Sequence, residues 1–298
     1  MSTFLAEPGP ASRDGAFLRA ACSIRVHVVP TTTPTYHALR EAAEQLRQAA
    51  LSATPVPPVR AILAPAGAKA AYGVQRLNIE ARVRAGDAIV GRKIGLTSAV
   101  VQAQLGVTEP DFGTLLRSMQ VPHEGTVDSR LLLQPRIEAE IAFELSESIT
   151  TVPGRPEELV AFIRYARPAL EIVDSRIADW NIQIVDTIAD NASSGLFVLG
   201  TGTLPADLES LTSVTMRLER NGEVVSTGRG SDCLGSPLSS LHWLATAMCA
   251  VGQPLHAGDI VLSGALGPMS AVAPGDTFVA TFGGADAVSV SFSDKRSS

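Results

Sequence analysis

The chain has 298 residues, 45% of them hydrophobic and 18% charged, with a formal net charge of -6. That composition excludes a disordered chain, and a mildly acidic sequence without a basic run offers no footprint for nucleic acid. The 3 cysteines, Cys22, Cys233 and Cys249, are odd in number and form no C-x-x-C pair, which excludes a disulfide framework and a cysteine zinc site and points to the cytoplasm.

No apolar stretch is long enough to span a membrane, and the N-terminus lacks a secretory signal pattern. Residues 1–34 read as a poorly structured extension. They carry Pro8, Pro10, Pro30, Pro34 and a Thr31-Thr32-Thr33 run, which are turn and linker signals. The apolar piece Ile24 to Val29 has edge-strand character.

Residues 35–90 form a helical subdomain in this reading. Tyr36 to Leu51 is rich in Ala, Leu, Glu and Gln, with Thr35 placed as an N-cap. Pro55, Pro57 and Pro58 end that pattern. A second helix is expected over Ala68 to Arg84, with Gly86 as its stop signal.

After that helix the character changes, and residues 91–298 form a separate region in this reading. Short β-type runs alternate with Gly, Pro and Asp turns: Ala88–Val90, Ile137–Phe143, Ala169–Val173, Leu196–Leu199, Val214–Glu219, Ile260–Ser263, Thr277–Thr281 and Val288–Phe292. Asn221-Gly222 is a hairpin signal. Helices are expected over Glu157–Tyr165 and over Pro237–Val251, the latter capped by Ser236. The whole reads as an α+β chain with a β-rich catalytic domain.

The stretch Gln134-Pro135-Arg136-Ile137-Glu138-Ala139-Glu140-Ile141-Ala142-Phe143 carries the most chemistry. Alternate strand residues share a face, so Glu138 and Glu140 point one way and Ile137, Ala139 and Ile141 the other. Paired carboxylates repel unless a cation or proton lies between them, and Mg²⁺ or Mn²⁺ suits an oxygen-only ligand set. A solvated strand face is the plainer reading of Glu-x-Glu alone. Glu171, a lone carboxylate in the apolar run Pro168 to Val173, weakens it, because a buried charge needs a partner or a metal. Glu171 reads equally as a third metal ligand, a partner for Arg176 or Arg167, or an outward strand residue.

Lys93 lies between Gly91 and Gly95. It reads as a residue that pairs an anionic substrate or moves a proton, or as a solvated lysine in a surface turn. Asp111, in the turn-like Glu109 to Gly113, reads as a general acid/base or as a group that bonds the turn backbone. The polar loop Asp190 to Gly195 and the stretch Leu262 to Pro268 offer hydroxyl and backbone donors, or are ordinary turns. The five histidines form no metal-ligand spacing. No G-x-S-x-G, G-x-G-x-x-G or P-loop order is present.

Taken in order, these stretches resemble the 2-keto-4-pentenoate hydratases of the broad fumarylacetoacetate hydrolase family. The motifs are Gly91–Ser98, Pro110–Gly113, Gln134–Ala142, Ala169–Trp180, Asp186–Gly195, Gly228–Pro237 and Ile260–Met269. The resemblance runs from Tyr36 to the end and omits the extension. It implies a helical N-terminal part, a mixed β-barrel-like fold, and a Mg²⁺ or Mn²⁺ held by Glu138, Glu140 and Glu171. It places Lys93 and Asp111 as acid/base residues, and Ser194, Ser263 and Gly264 against substrate. Relatives often carry cysteine where this chain has Ser194.

The implied reaction is addition of water to 2-hydroxypenta-2,4-dienoate, or a close analogue, to give 4-hydroxy-2-oxopentanoate in aromatic-compound catabolism. The implied assembly is a pentamer-based homo-oligomer, able to associate with a decarboxylase or aldolase of the same pathway. Three alternatives share parts of this pattern: a 4-oxalocrotonate-type decarboxylase, a carbon–carbon hydrolase of acylpyruvates, and an inert partner subunit.

Overall fold

The computed structural model describes residues 36–64, 67–98, 102, 107–283 and 287–294. The expected extension, the Ile24–Val29 strand and the Thr35 cap lie outside these residues. Three helices come first: α1 (Tyr36–Ser52), α2 (Arg60–Leu63) and α3 (Gly67–Arg84). Their apolar faces meet in one cluster with Ala42, Leu46, Leu63 and Val74 at its centre, and Ile177, Ile188 and Ala189 from much later in the chain complete it. The helices therefore cover the β-rich region and share a core with it.

That region contains thirteen strands among the described residues. They are β1 (Ile89–Gly95), β2 (Asp111–Leu116), β3 (Gln120–Val121), β4 (Gly125–Val127), β5 (Pro135–Leu145), β6 (Ile163–Asp174) and β7 (Ser194–Leu199). After them come β8 (Thr215–Arg220), β9 (Glu223–Arg229), β10 (Ile260–Ala265), β11 (Ser270–Ala271), β12 (Thr277–Phe282) and β13 (Ala287–Phe292). Among the described residues three more α-helices interrupt them: α4 (Ile184–Ala189), α5 (Leu208–Ser213) and α6 (Pro237–Ala250). Ser236 caps α6 by accepting from the Leu238 N–H at 3.2 Å.

Eight strands form a mixed sheet in the order β2-β1-β10-β5-β6-β7-β3, with β11 added beside β5. The β1–β10 and β3–β7 pairs are parallel, and the other pairs are antiparallel. The sheet curls. Strands lie about 4.8 Å apart, so β1 and β6 would be about 14 Å apart in a flat sheet. Lys93 on β1 nevertheless reaches Glu171 on β6, at 3.3 Å. The second sheet has five strands in the order β4-β13-β12-β8-β9. Its β8–β9 hairpin turns at Asn221 and Gly222, both with positive φ, as a two-residue hairpin turn requires. The largest apolar cluster lies between the two sheets and α6, around Phe143, Leu241, Phe278 and Phe282. Among the described residues no helix is long and apolar enough to cross a membrane.

Two expected elements differ. The stretch from Glu157 is a 3₁₀ helix, Pro156–Phe162, and Ile163 to Tyr165 belong to β6. Pairing of Tyr165 with Glu144 and of Ile163 with Leu145 claims those residues for the sheet. Asp111 to Gly113 is not a turn either. It opens β2, where Asp111 pairs with Gly95 and Gly113 with Lys93.

Candidate metal centre and active site

The concave face of the curled sheet collects the charged residues. Glu138 and Glu140 are two apart on β5 and share its inner face. Glu171 on β6 stands directly opposite Glu138. Like charges directly opposite each other destabilise a sheet, so this arrangement calls for a counter-ion. One carboxylate oxygen from each of the three lies within 4.8 Å of the others. Glu140 and Glu171 are fully buried.

The carboxylates are only partly satisfied by the protein. Glu140 Oε2 accepts the Gly264 N–H at 2.8 Å, while its Oε1 is buried with no hydrogen-bond partner. Glu171 Oε1 accepts from Ser194 Oγ at 3.4 Å, and its Oε2 faces Lys93 Nζ at 3.3 Å. Burial, and then the charge of Glu171, push the Glu138 carboxyl up to about 7. Burial likewise raises Glu140 well above the carboxylate range, with Glu171 and Glu138 adding to it. Burial also raises Glu171, against the pull of Lys93. Three close carboxylates, two of them fully buried, with a spare oxygen suit a hard divalent cation, which takes oxygen ligands and displaces protons when it binds. The donor set therefore fits a divalent metal.

Gly264 reaches Glu140 because β10 is bulged. Its pairing with β5 shifts between Leu262 and Ala265, and Gly264 adopts φ +100°. A bulge of this kind re-aims a backbone group. A Cβ at Gly264 would lie 2.3 Å from Thr97. The neighbouring Ser263 is fully buried. Its hydroxyl accepts from the Ile141 N–H at 3.3 Å and donates to the Gly264 carbonyl at 3.2 Å, which braces the bulge.

Lys93 and Asp111 lie beside the triad. Lys93 is 3% exposed and donates to the Ala192 carbonyl at 3.0 Å, so it is not a solvated turn residue. Burial by itself would lower its pKa. Four carboxylates, Glu171 first and then Asp111, Glu138 and Glu140, outweigh that and hold the ammonium above the ordinary lysine range. Asp111 is 1% exposed. Its Oδ2 accepts from Thr187 Oγ1 at 3.3 Å, and its Oδ1 is buried without a hydrogen-bond partner. Burial raises its pKa, against the charge of Lys93.

Two glycines make room for this pair. A Cβ at Gly95 would stand 2.1 Å from Asp111 Oδ1, and one at Gly113 would stand 3.2 Å from Lys93 Cγ and 2.5 Å from the Asn191 carbonyl. The turn after α4 closes over the same place. Asn191, Ala192 and Ser193 all have φ between +51° and +58°, a region that costs an L residue roughly 1–2 kcal/mol. Asn191 pins the turn to β2, accepting the Thr114 N–H at 2.8 Å and donating to the Thr114 carbonyl at 2.9 Å. Arg176 pairs with the buried Asp190 and donates to the Ser194 carbonyl. Arg176 therefore braces the loop and is not a partner of Glu171. Arg167 faces Glu144 at 3.8 Å.

Sequence reasoning singled out neither Thr187 nor Asn191 as individual site residues. Both lie within the Asp186–Gly195 motif, but their partners on β2 are nearly eighty positions earlier.

Comparison with known proteins defines the class. Residues 94–290 match the family model described as fumarylacetoacetate (FAA) hydrolase C-terminal, and the chain belongs to that family. Within it the similarity is to hydratases. The chain is 48% identical to the 2-keto-4-pentenoate hydratase of Paraburkholderia xenovorans (strain LB400) over 256 residues, covering 86% of this chain and 95% of the relative. It is 40% identical to the 2-hydroxyhexa-2,4-dienoate hydratase of Comamonas testosteroni over 227 residues, covering 75% and 86%. Among solved structures it resembles the 4-oxalocrotonate decarboxylase from Pseudomonas putida G7, complexed with magnesium and adipate. That match has a TM-score of 0.79 at 35% identity and covers 86% of this chain and 97% of the other.

Proposed function

We propose that this protein is a metal-dependent hydratase. It adds water to 2-hydroxypenta-2,4-dienoate, or a close analogue, and forms 4-hydroxy-2-oxopentanoate in the breakdown of aromatic compounds. The observation that carries this reading is one concave face holding three metal-competent carboxylates next to a buried Lys93–Asp111 pair. Glu138, Glu140 and Glu171 are the proposed holders of Mg²⁺ or Mn²⁺. When bound, the metal supplies a Lewis acid for the 1-carboxylate and 2-oxygen of the substrate.

Lys93 stays protonated among its carboxylates and is the proposed proton donor to the chain terminus. The terminal carbon takes a proton from Lys93 and the enol's released hydroxyl proton restores the ammonium, which gives the 2-oxo-3-enoate. Asp111 Oδ1, which has no other partner, is the proposed base that takes a proton from the incoming water. The hydroxyl then adds at C4, and the proton that Asp111 took from the water is delivered to C3, which restores the carboxylate. A carboxylate with a raised pKa is better matched to this task near neutral pH than an ordinary aspartate. Gly264 holds Glu140, and Ser194 lies against Glu171 at the substrate side. Ser263 contributes by keeping the Gly264 N–H aimed. The proposed assembly is a homo-oligomer built on pentamers, which sedimentation of the purified protein reads directly.

The test is turnover of freshly generated 2-hydroxypenta-2,4-dienoate with and without Mn²⁺, with the product identified by mass. A metal-dependent gain of one water is expected. Release of CO₂ from 2-oxo-3-hexenedioate, without hydration of the dienoate, would replace this reading with the decarboxylase.

A further inference from the structure

We propose that Arg136 is the docking point for the substrate's 1-carboxylate, held for that purpose on the face of Trp180. The inference deepens the reading of the site as one for a small 2-oxo acid and rests on it.

Residues 136, 138 and 140 share one face of β5. The register puts Glu138 in the metal triad and Arg136 one step further toward the strand's start. Alternate residues on a strand are about 7 Å apart. In this arrangement the substrate's carboxylate would bridge a cation held by Glu138 and the guanidinium of Arg136. The positive charge of Arg136 already acts on Glu138, as one of the influences lowering its pKa.

The guanidinium is held in place without an ion-pair partner among the described residues. Its centre stacks 4.4 Å over the Trp180 ring. Its Nη1 approaches Met269 Sδ at 3.5 Å, a weak acceptor. Among the described residues no carboxylate pairs with it, whereas Arg60, Arg82, Arg155, Arg164 and Arg176 each have one. Trp180 is itself positioned. Its Nε1 donates to the Gln134 carbonyl at 3.1 Å, and both Asp179 and Trp180 take left-handed backbone conformations, at φ 58° and 52°. Arg stacked on an aromatic ring keeps its planar edge free for two parallel bonds to a carboxylate. Met269 ends the loop that leaves the β10 bulge at Gly264, so the guanidinium lies between the metal-side loop and the ring.

A reaction that starts from a 2-oxo acid needs such a group. The 1-carboxylate is the one charge that every substrate of the class carries, and Lys93 is already committed to Glu171 and the Ala192 carbonyl.

The test is calorimetric titration of the Mn²⁺-loaded full chain with pyruvate and with its neutral methyl ester, for wild type, Arg136→Met, Arg136→Lys and Trp180→Leu. Mn²⁺ affinity and thermal unfolding of each variant are measured alongside. Arg136→Met should bind pyruvate about ten- to a hundredfold more weakly, the usual range for a lost charged hydrogen bond. Methyl pyruvate and Mn²⁺ affinity should be unchanged. Arg136→Lys and Trp180→Leu should each lose pyruvate affinity several-fold, and they carry the test if Arg136→Met does not fold. The proposal is overturned by unchanged pyruvate affinity in these variants, by equal losses for pyruvate and its ester, by a fall in Mn²⁺ affinity that accounts for the loss, or by no pyruvate binding in the wild type. Binding is read without turnover, so failure of the dienoate to react counts against the hydratase reading alone.

Discussion

On β12 and β13 every second residue is buried: Phe278, Ala280 and Phe282 on one, Val288, Val290 and Phe292 on the other. Their neighbours on the opposite face are exposed or half-exposed. On β5 the alternation is the same in sequence, but from Ala139 to Phe143 every residue is buried. The difference lies in what covers the second face. The five-stranded sheet leaves its polar side toward water, while the eight-stranded sheet curls and is roofed by the turn after α4. Carboxylates that would be solvated on the first sheet are desolvated on the second. Burying charge without a partner is costly; Lys93 offsets part of that cost, and a divalent cation held by the triad would offset more. One sheet's alternation therefore makes stability, and the other's makes a site at the expense of stability.

The sharpest way to break this contrast is Glu140→Gln. Metal-dependent turnover should be lost, and Mn²⁺ affinity should fall by more than about a hundredfold, beyond what removing an outer partner of a ligand costs. At neutral pH the metal-free variant should unfold at a higher temperature than the metal-free wild type, because an amide avoids the cost of keeping a buried carboxyl protonated above its ordinary range. Titration calorimetry and scanning calorimetry read the two effects, and a lower unfolding temperature would contradict the account. Asp111→Asn comes next. It should reduce kcat by about a hundred- to ten-thousandfold with Mn²⁺ affinity near wild type, measured by steady-state kinetics and metal titration.

In the other sheet, Phe278→Ala should destabilise by about 3–5 kcal/mol. Phe278 is fully buried and meets Phe292 edge-to-face, with ring centroids 6.0 Å apart. The folded variant should keep wild-type Mn²⁺ affinity. The two regions should also part in their response to pH. The Glu138 pKa is raised from 4.5 to about 7 in the folded, metal-free protein. The native state then holds a proton that the unfolded chain has released. Stability should accordingly fall as pH rises from about 4.5 to 7, by up to about 3 kcal/mol from this group, and the raised Glu140 carboxyl should add to the fall. Saturating Mn²⁺ should remove the slope. Denaturant titrations across pH, with and without metal, check both statements.

The parts of the site set by a single strand's alternation were legible in the sequence. Glu138 and Glu140 share a face because they are two apart, and the apolar run around Glu171 marks a carboxylate that needs a partner. The hairpin at Asn221-Gly222 and the capped helix at Ser236 were legible because they are local. The burial of the carboxylate face was not, since it depends on the curl and on a turn from a distant part of the chain. Asp111 reads as part of a turn over Glu109 to Gly113, yet β1 recruits it into the sheet. Arg176 looks like a candidate partner for Glu171 by proximity in sequence, but Asp190 takes it. Arg136 stands in the same alternation as Glu138 and Glu140, and that spacing was the available signal for it.

The smallest effect tests whether the sheets are energetically separate. Gly222 sits at φ +84° in the β8–β9 turn, and a Cβ there would meet nothing within 4 Å. Gly222→Ala therefore removes only the conformational ease of the turn, at about 1 kcal/mol. Asn221 should hold the turn in place, because its side chain donates to Asp276 Oδ1 at 2.9 Å and accepts the Thr277 N–H at 2.8 Å. A small drop in unfolding temperature with unchanged Mn²⁺ affinity is expected. A change in Mn²⁺ affinity would mean that the far hairpin is coupled to the triad, through the apolar cluster that lies between the two sheets. In that case the division of labour between the sheets would have to be abandoned.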